Sequence, residues 1–283
     1  MGACRAHGIA NRLPRVVGVI VPVHGFAPYL AETLDCVLAQ HPAPDVVVVV
    51  DDASPEPLAL HPDHTSRCTL VRRDACGGPA AARASGLDAL GASIDLVALC
   101  DGDDAWTEGQ LAAQLAAFDR HPGAALCFGR ALVVGPDGRP TGERWTQLTA
   151  GPHGGPELLR LLYGSNPIPT SSVMLRRASL EAAGGFESEF RTEDWDLWLR
   201  IAARGDTLVC APDAVVRYRR HPGGRTADIA TQARGQLALH SAWGAIVEPE
   251  VREQALAADA AALRRATRRG LRSLLPRRDP YRR

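Results

Sequence analysis

Three short runs constrain this chain more than any other feature. RVVGVIVPV (15–23), DVVVVVDDAS (45–54) and IDLVALC (94–100) each carry an unbroken apolar core rich in β-branched residues. A strand with one face in water alternates apolar and polar residues, so runs of this kind mark strands covered on both faces. The intervals between them carry helical spacing. YLAETLDCVLAQ (29–40) places apolar residues at Leu30, Leu34, Val37 and Leu38, GGPAAARASGLDAL (77–90) has Pro79 near its first turn, and EGQLAAQLAAFDRH (108–121) follows the third run. CTLVRR (68–73) reads as a further short extended segment. Such alternation predicts an α/β fold, a mostly parallel sheet with helices on both faces.

In open sheets of this type ligands bind outside the carboxyl ends of the strands. There two of the runs end in acid: Asp51 and Asp52 after the second, Asp101, Asp103 and Asp104 after the third, with only Gly102 between. Like charge packed this closely is destabilising unless something positive sits among it. Carboxylate oxygens without neighbouring Cys or His suit Mg2+ or Mn2+ rather than zinc, and a hard cation at a sheet rim commonly bridges phosphates. The plainer reading of Asp101–Asp104 is a solvated turn that caps the 108–121 helix.

The second half changes character. AALCFGRALVV (124–134) reads as a longer strand, PDG (136–138) as a turn and GPHGGP (151–156) as a loop. SSVMLRRASLEAAGGF (171–186) reads as a strand then a helix, TEDWDLWLRIAARG (192–205) as a helix with an acidic start, and LVCAPDAVVRYRRH (208–221) as the strand that closes the sheet. The expected division is a first half over 1–130, a second half over 131–225, and a basic helical extension over 226–283.

Composition removes several chemistries. The chain has no lysine, which excludes a Walker A loop and a Schiff-base enzyme. PVHGFAPY (22–29) has one glycine and no basic residue, poor material for a nucleotidyltransferase phosphate loop, and no G-x-G-x-x-G marks a dinucleotide oxidoreductase. Seven scattered cysteines without C-x-x-C argue for reduced thiols rather than a disulfide scaffold or zinc ribbon. The first 15 residues lack an apolar core of a signal peptide, and no run approaches a membrane span, so a cytoplasmic protein is expected. Nucleic-acid binding is not expected, because the arginine-rich tail is not interleaved with aromatics and the body is acidic.

Taken in order, VIVPVHGFAPYLAETLDCVLAQ, VVVVVDDAS, ARASGLDAL, LCDGDDAW and GGFESEFRTEDWDLWLRIAARG resemble the family 2 glycosyltransferases of the GT-A fold, over about residues 15–225. The resemblance implies a GT-A type, Rossmann-like sheet and an inverting, metal-assisted sugar transfer from a nucleotide-diphosphate sugar, UDP-, TDP- or GDP-linked, to an acceptor hydroxyl. It also implies roles. Pro22 and His24 would line the donor pocket, and Asp52, with Asp51 beside it, would accept from the nucleobase. Arg83 would sit near the base or diphosphate. Asp101 and Asp103 match the D-x-D motif, on ribose and metal, with Asp104 adjacent. Asp194 matches the general base, Glu193 is its neighbour, and His221 falls where relatives place a His or Arg near the diphosphate or metal. One departure stands out: relatives often carry an aromatic residue plus Asn after the first strand, where this chain has His24 and Gly25. Trp106, Trp195 and Trp198 read as packing residues. The rival from another class is a non-catalytic sugar-nucleotide-binding module.

The tail over 226–283 carries 11 arginines against 6 acids. From Leu256 to Leu275, Leu256, Ala260, Leu263, Leu271 and Leu274 fall on one helical stripe, with Arg264, Arg265, Arg268, Arg269 and Arg272 off it. Such a helix packs on the acidic body or a second subunit, or lies on the inner face of an anionic membrane.

Overall fold

The structure is a computed structural model that describes residues 15–186 and 188–274, the last seven of these as backbone only. In chain order the elements are β1 (Val17–Val23), α1 (Leu30–Leu38), β2 (Val46–Asp51), α2 (Pro62–Thr65), β3 (Thr69–Arg72), α3 (Gly78–Leu90), β4 (Leu96–Leu99), β5 (Ala105–Trp106), α4 (Gln110–Arg120) and β6 (Ala124–Val134). They continue with β7 (Pro140–Arg144), β8 (Gly151–His153), α5 (Gly155–Gly164), β9 (Met174–Arg176), α6 (Arg177–Ala182), α7 (Glu193–Ala203), β10 (Thr207–Arg219), α8 (Ile229–Trp243) and α9 (Pro249–Leu274).

One sheet runs through the molecule in the order β3-β2-β1-β4-β9-β6-β10-β5, with β7 added beside β6 and β8 beside β10. The apolar runs form its parallel block, β2 and β4 flanking β1 and β3 outside β2. β9 then runs antiparallel to both β4 and β6, and β6 and β10 are parallel again. Each face carries its own core. Val19, Val21, Leu34 and Val37 belong to the one that includes α1, and Ile20, Val50, Ala82 and Leu90 to the one that includes α3. Helix α3 lies close on β1 because the contact positions are glycine: a Cβ on Gly86 would sit 2.5 Å from Ile20, and one on Gly18 2.5 Å from Leu90.

The expected α/β fold with its helical extension is present, with several local differences. GPHGGP does not form a loop throughout: Gly151–His153 pair with β10, and a helix follows from Gly155. Edge pairing needs only backbone groups, so a glycine-proline segment without apolar alternation joins a sheet unannounced. Strand β10 does not form the sheet edge, since β5 and β8 pair on its far side. Helix α9 begins at Pro249 and packs along α8, with Leu256, Ala260 and Leu263 half-buried and Arg264 and Arg265 exposed. The side chains of Leu271, Leu274, Arg268, Arg269 and Arg272, together with Leu275 and the N-terminal 1–14, lie outside the described residues. Among the described residues no helix is long and apolar enough to cross a membrane.

Candidate active site

Strand register sets the rim. Val23 pairs with Asp51 and Ile20 with Leu99, so the acidic ends of β2 and β4 flank the end of β1. Asp51 and Asp52 then diverge, as neighbouring side chains on an extended backbone must. Asp51 is 1% exposed and accepts from Ser54 N–H (2.9 Å), Leu58 N–H (3.0 Å) and Arg72, bracing the loop after β2. Burial alone would raise its pKa, but these donors outweigh it and hold the group at about 2. Its carboxylate is buried and does not line the cleft. Asp52 does line the cleft, and accepts from Gly77 N–H (3.0 Å), Gly78 N–H (2.7 Å) and Arg73. It also pins the start of α3. Burial works against its ionised form, yet these donors keep its pKa below the ordinary carboxylate value.

The turn after β4 divides its three acids in the same way. Gly102 nests against β1, where a Cβ would meet Val23 at 2.9 Å and the Pro22 carbonyl at 3.2 Å. Asp101 turns to the cleft and accepts from Arg83 Nη2 at 2.7 Å. Asp103 faces His221, its Oδ2 2.9 Å from Nε2. Asp104 points inward, 2% exposed, and accepts from Arg219 N–H (2.8 Å) and the Ser171 hydroxyl (2.5 Å). Burial, then the charges of Asp103 and Asp101, push Asp104 well above its ordinary pKa. Asp104 thus braces the turn from inside, with Arg219 N–H and the Ser171 hydroxyl each on one of its oxygens. Arg219 is buried too; its Nε donates to the Asp103 carbonyl at 2.9 Å and its guanidinium lies 4.4 Å over the Tyr29 ring. Of the three acids, Asp101 is met by a guanidinium, Asp104 by a backbone N–H and a hydroxyl, and Asp103 by the His221 ring.

Arg83 is the centre of the arrangement. It is 3% exposed, and besides Asp101 it donates through Nη1 to Glu193 Oε1 at 3.0 Å, joining the turn after β4 to the first residue of α7. Arg225 closes on Glu193 from the other side, at 2.8 and 3.0 Å. Burial would raise the Glu193 pKa, but the hydrogen bond from Arg225 and the charge of Arg83 hold it below the usual range. Asp194 lines the cleft beside it and accepts from Thr170 Oγ (2.7 Å) and Asn166 Nδ2 (3.3 Å). Here burial and then the Glu193 charge prevail, and the pKa is raised.

All of this surrounds one cleft of about 990 Å³. Pro22, His24, Asp52, Arg83, Asp101 and Asp103 line it on the β1–β4 side, and Glu193, Asp194 and His221 on the other. His24 is exposed, its Nδ1 2.8 Å from the Asp52 carbonyl. Trp106, Trp195 and Trp198 are buried, and Trp195 donates to the Leu162 carbonyl at 2.5 Å.

The sequence reading missed Thr170, Asn166 and Ser171, small polar residues in an irregular stretch, and Arg225, which nothing local sets apart from other arginines. It also missed the hold of α8 and α9 on α7. His240 lies 2.6 Å from Asp259 through Nδ1 and 2.6 Å from the Tyr163 carbonyl through Nε2, with its ring against Trp195. Trp243 donates to Asp196 at 2.9 Å.

With that geometry in place, the family model described as Glycosyl transferase family 2 matches residues 18–184. The chain belongs to glycosyl transferase family 2. The match takes in both acidic strand ends and Arg83, and stops short of Glu193, Asp194 and His221. An uncharacterized protein of Mycobacterium tuberculosis is 29% identical over 209 residues, 69% of this chain and 56% of that protein, so the chain spans little more than half of this relative's length. Similarity extends to the succinoglycan biosynthesis protein ExoW of Rhizobium meliloti, 38% identical over 99 residues, covering 33% of this chain and 31% of ExoW. Among solved structures, S. aureus TarS 1–349 in complex with UDP-GlcNAc superposes with TM-score 0.61 at 19% identity, over 87% of this chain and 72% of that one. The mannosyltransferase PcManGT of Pyrobaculum calidifontis, in complex with GDP-Man and Mn2+, gives TM-score 0.61 at 22% identity, over 89% and 75%. At these identities the likeness to the family 2 chain is one of fold.

Proposed function

We propose that this family 2 member is an inverting glycosyltransferase that moves a sugar from a nucleotide-diphosphate sugar to an acceptor hydroxyl, with Mg2+ or Mn2+ assisting and Asp194 as the general base. The observation that carries the reading is Arg83, whose guanidinium ties Asp101 of the acidic turn to Glu193 beside Asp194 in a single cleft. Donor-binding and proton-accepting groups therefore stand in a fixed relation. The donor complexes of TarS and PcManGT support a nucleotide sugar in the equivalent fold.

The donor set suits the cation. Asp103 Oδ2 and His221 Nε2 are 2.9 Å apart, and two neighbouring ligands of an octahedral ion at roughly 2.1 Å are separated by about 3 Å. Asp101 is drawn off to Arg83, so Asp103 and His221 would hold the ion, leaving positions for donor phosphates. When bound, the ion would neutralise charge on the departing diphosphate. The chain's own residues do the rest. Asp52 and His24 face the nucleobase end of the cleft. Thr170 and Asn166 fix the Asp194 carboxylate, which removes the acceptor hydroxyl proton as that oxygen attacks the anomeric carbon. The bond from that carbon to the diphosphate oxygen breaks, the electron pair leaves with the phosphate, and configuration inverts. The raised pKa of Asp194 makes it a stronger base than a free aspartate.

The test is a screen of UDP-, GDP- and TDP-sugars with Mg2+ or Mn2+, scored for released nucleoside diphosphate. One donor should be turned over, and Asp103→Ala should abolish both turnover and metal-dependent nucleotide binding while the fold survives. Donor binding that keeps its metal dependence in Asp103→Ala would remove the turn after β4 from the metal site. Donor binding without turnover in any acceptor mixture would favour a sugar-nucleotide-binding module.

A further inference from the structure

Beyond the ends of β1 and β2, three side chains of different chemistry converge. His24 follows β1, Asp52 follows β2, and Cys76 precedes α3; one ligand atom of each lies within 4.8 Å of the others. Among the described residues this is the one trio of His, Cys and acidic side chains with that spacing. Cys76 Sγ is 3.4 Å from Asp52 Oδ2, close to the ligand–ligand edge of a tetrahedral zinc site, about 3.5 Å for bonds of roughly 2.0–2.3 Å. The His24 ring is already oriented. Its Nδ1 sits 2.8 Å from the Asp52 backbone carbonyl, which can only accept, so Nδ1 carries the proton and Nε2 is left with the lone pair. A backbone acceptor on the far nitrogen is the usual support of a metal-binding histidine.

We propose that His24, Asp52 and Cys76 form a site for a thiophilic divalent cation of the Zn2+ class, separate from the hard-cation pair Asp103–His221. The donor types decide the class: thiolate and imidazole select zinc, whereas Mg2+ and Mn2+ take oxygen ligands. Binding displaces the Cys76 thiol proton to solvent, and the new thiolate adds the negative charge the metal needs, since the Asp52 carboxylate already pairs with Arg73. Three protein ligands leave a fourth position open to the cleft. The consequence for activity rests on the donor-site reading above. If the nucleobase sits against His24 and Asp52, the metal and the nucleotide exclude each other, and zinc is an inhibitor competitive with the donor.

The experiment uses the full, untagged chain. Zn2+ affinity is measured without nucleotide by competition with a chromophoric chelator, and Cys76 accessibility by its rate of alkylation with iodoacetamide. Wild type should hold one zinc that slows alkylation of Cys76. Cys76→Ser and His24→Ala, both at exposed positions, should each weaken that site by roughly tenfold or more, and Cys68→Ser should leave it unchanged. Equal zinc affinity in wild type, Cys76→Ser and His24→Ala overturns the proposal. Adding UDP or GDP then separates the two claims. Weakened zinc binding in the presence of nucleotide supports the shared location. Zinc binding that depends on Cys76 but ignores every nucleoside diphosphate leaves the metal site standing and overturns the placement of the nucleobase.

Discussion

The two walls of the cleft are built in different ways. On the β1–β4 wall, Arg83 of α3 apart, the cleft-lining groups follow strand ends, and the parallel register that aligns the strands also aligns the groups. The α7 wall has no such source of order. Glu193 and Asp194 open a helix whose position depends on Thr170, Asn166, Arg225 and, through Trp195 and Asp196, on α8 and α9. One wall is organised by local backbone geometry, the other by contacts among distant segments. Substitutions on the first should act mainly on donor binding, and those on the second mainly on transfer.

The largest effect expected from that contrast is at Asp194. Asp194→Asn keeps size and hydrogen-bonding shape but cannot take a proton, so the transfer rate should fall by about two to four powers of ten. Donor affinity, measured by calorimetry, should stay near that of wild type. A loss of donor affinity instead would merge the two walls into one binding unit. The next effect lies farther away. His240→Ala removes the partner of buried Asp259 and should destabilise the fold by about 3 kcal/mol in urea denaturation, as breaking a buried pair does. Below the unfolding transition it should lower the transfer rate while leaving donor affinity alone. Equal losses in both would show that α8 and α9 support the whole cleft.

A smaller effect tests the β1–β4 wall by pH. The folded pKa of Asp51, about 2, lies below its ordinary value of 3.8, so its contribution to stability is present above that ordinary value and is lost as pH falls toward 2. The shift corresponds to about 2 kcal/mol. Asp51→Asn should lose that amount near neutral pH and show a flatter stability profile between about pH 4 and pH 2. An unchanged acid profile would mean that the loop after β2 is braced elsewhere. The smallest effect is a shift in a profile. Glu193 charge raises the pKa of Asp194, so Glu193→Gln should move the acidic limb of the rate profile to lower pH, even as the loss of its pairs with Arg83 and Arg225 reduces the rate. A limb that stays in place would assign it to another group.

Much of the first wall was legible in the sequence because both of its causes are local. Apolar runs identify covered strands, and acids at their ends identify the rim. Even there, the residue string did not distinguish cleft-lining carboxylates from inward-facing ones. Asp51 and Asp52 are adjacent, as are Asp103 and Asp104, and on extended or turning backbone adjacent side chains diverge. The pattern implies that one of each pair faces inward without saying which. The answer came from Ser54, Leu58, Ser171 and Arg219, whose donors meet Asp51 and Asp104. The strand at Gly151–His153 was illegible for a related reason, since edge pairing uses backbone groups common to all residues.

By itself, then, the chain's sequence determined the strand-helix alternation, the helices that carry Arg83 and Asp194, and the acidic rim. These follow from hydrophobic period and side-chain type, which act over a few residues. Only the tertiary structure decided that Arg83, already on Asp101, would meet Glu193 across 110 positions, that Asp103 would meet His221 across 118, and that Asp51 and Asp104 would turn inward. Those outcomes depend on which surfaces pack together and on which buried charges find partners there, and no short window of residues contains both halves of such a contact.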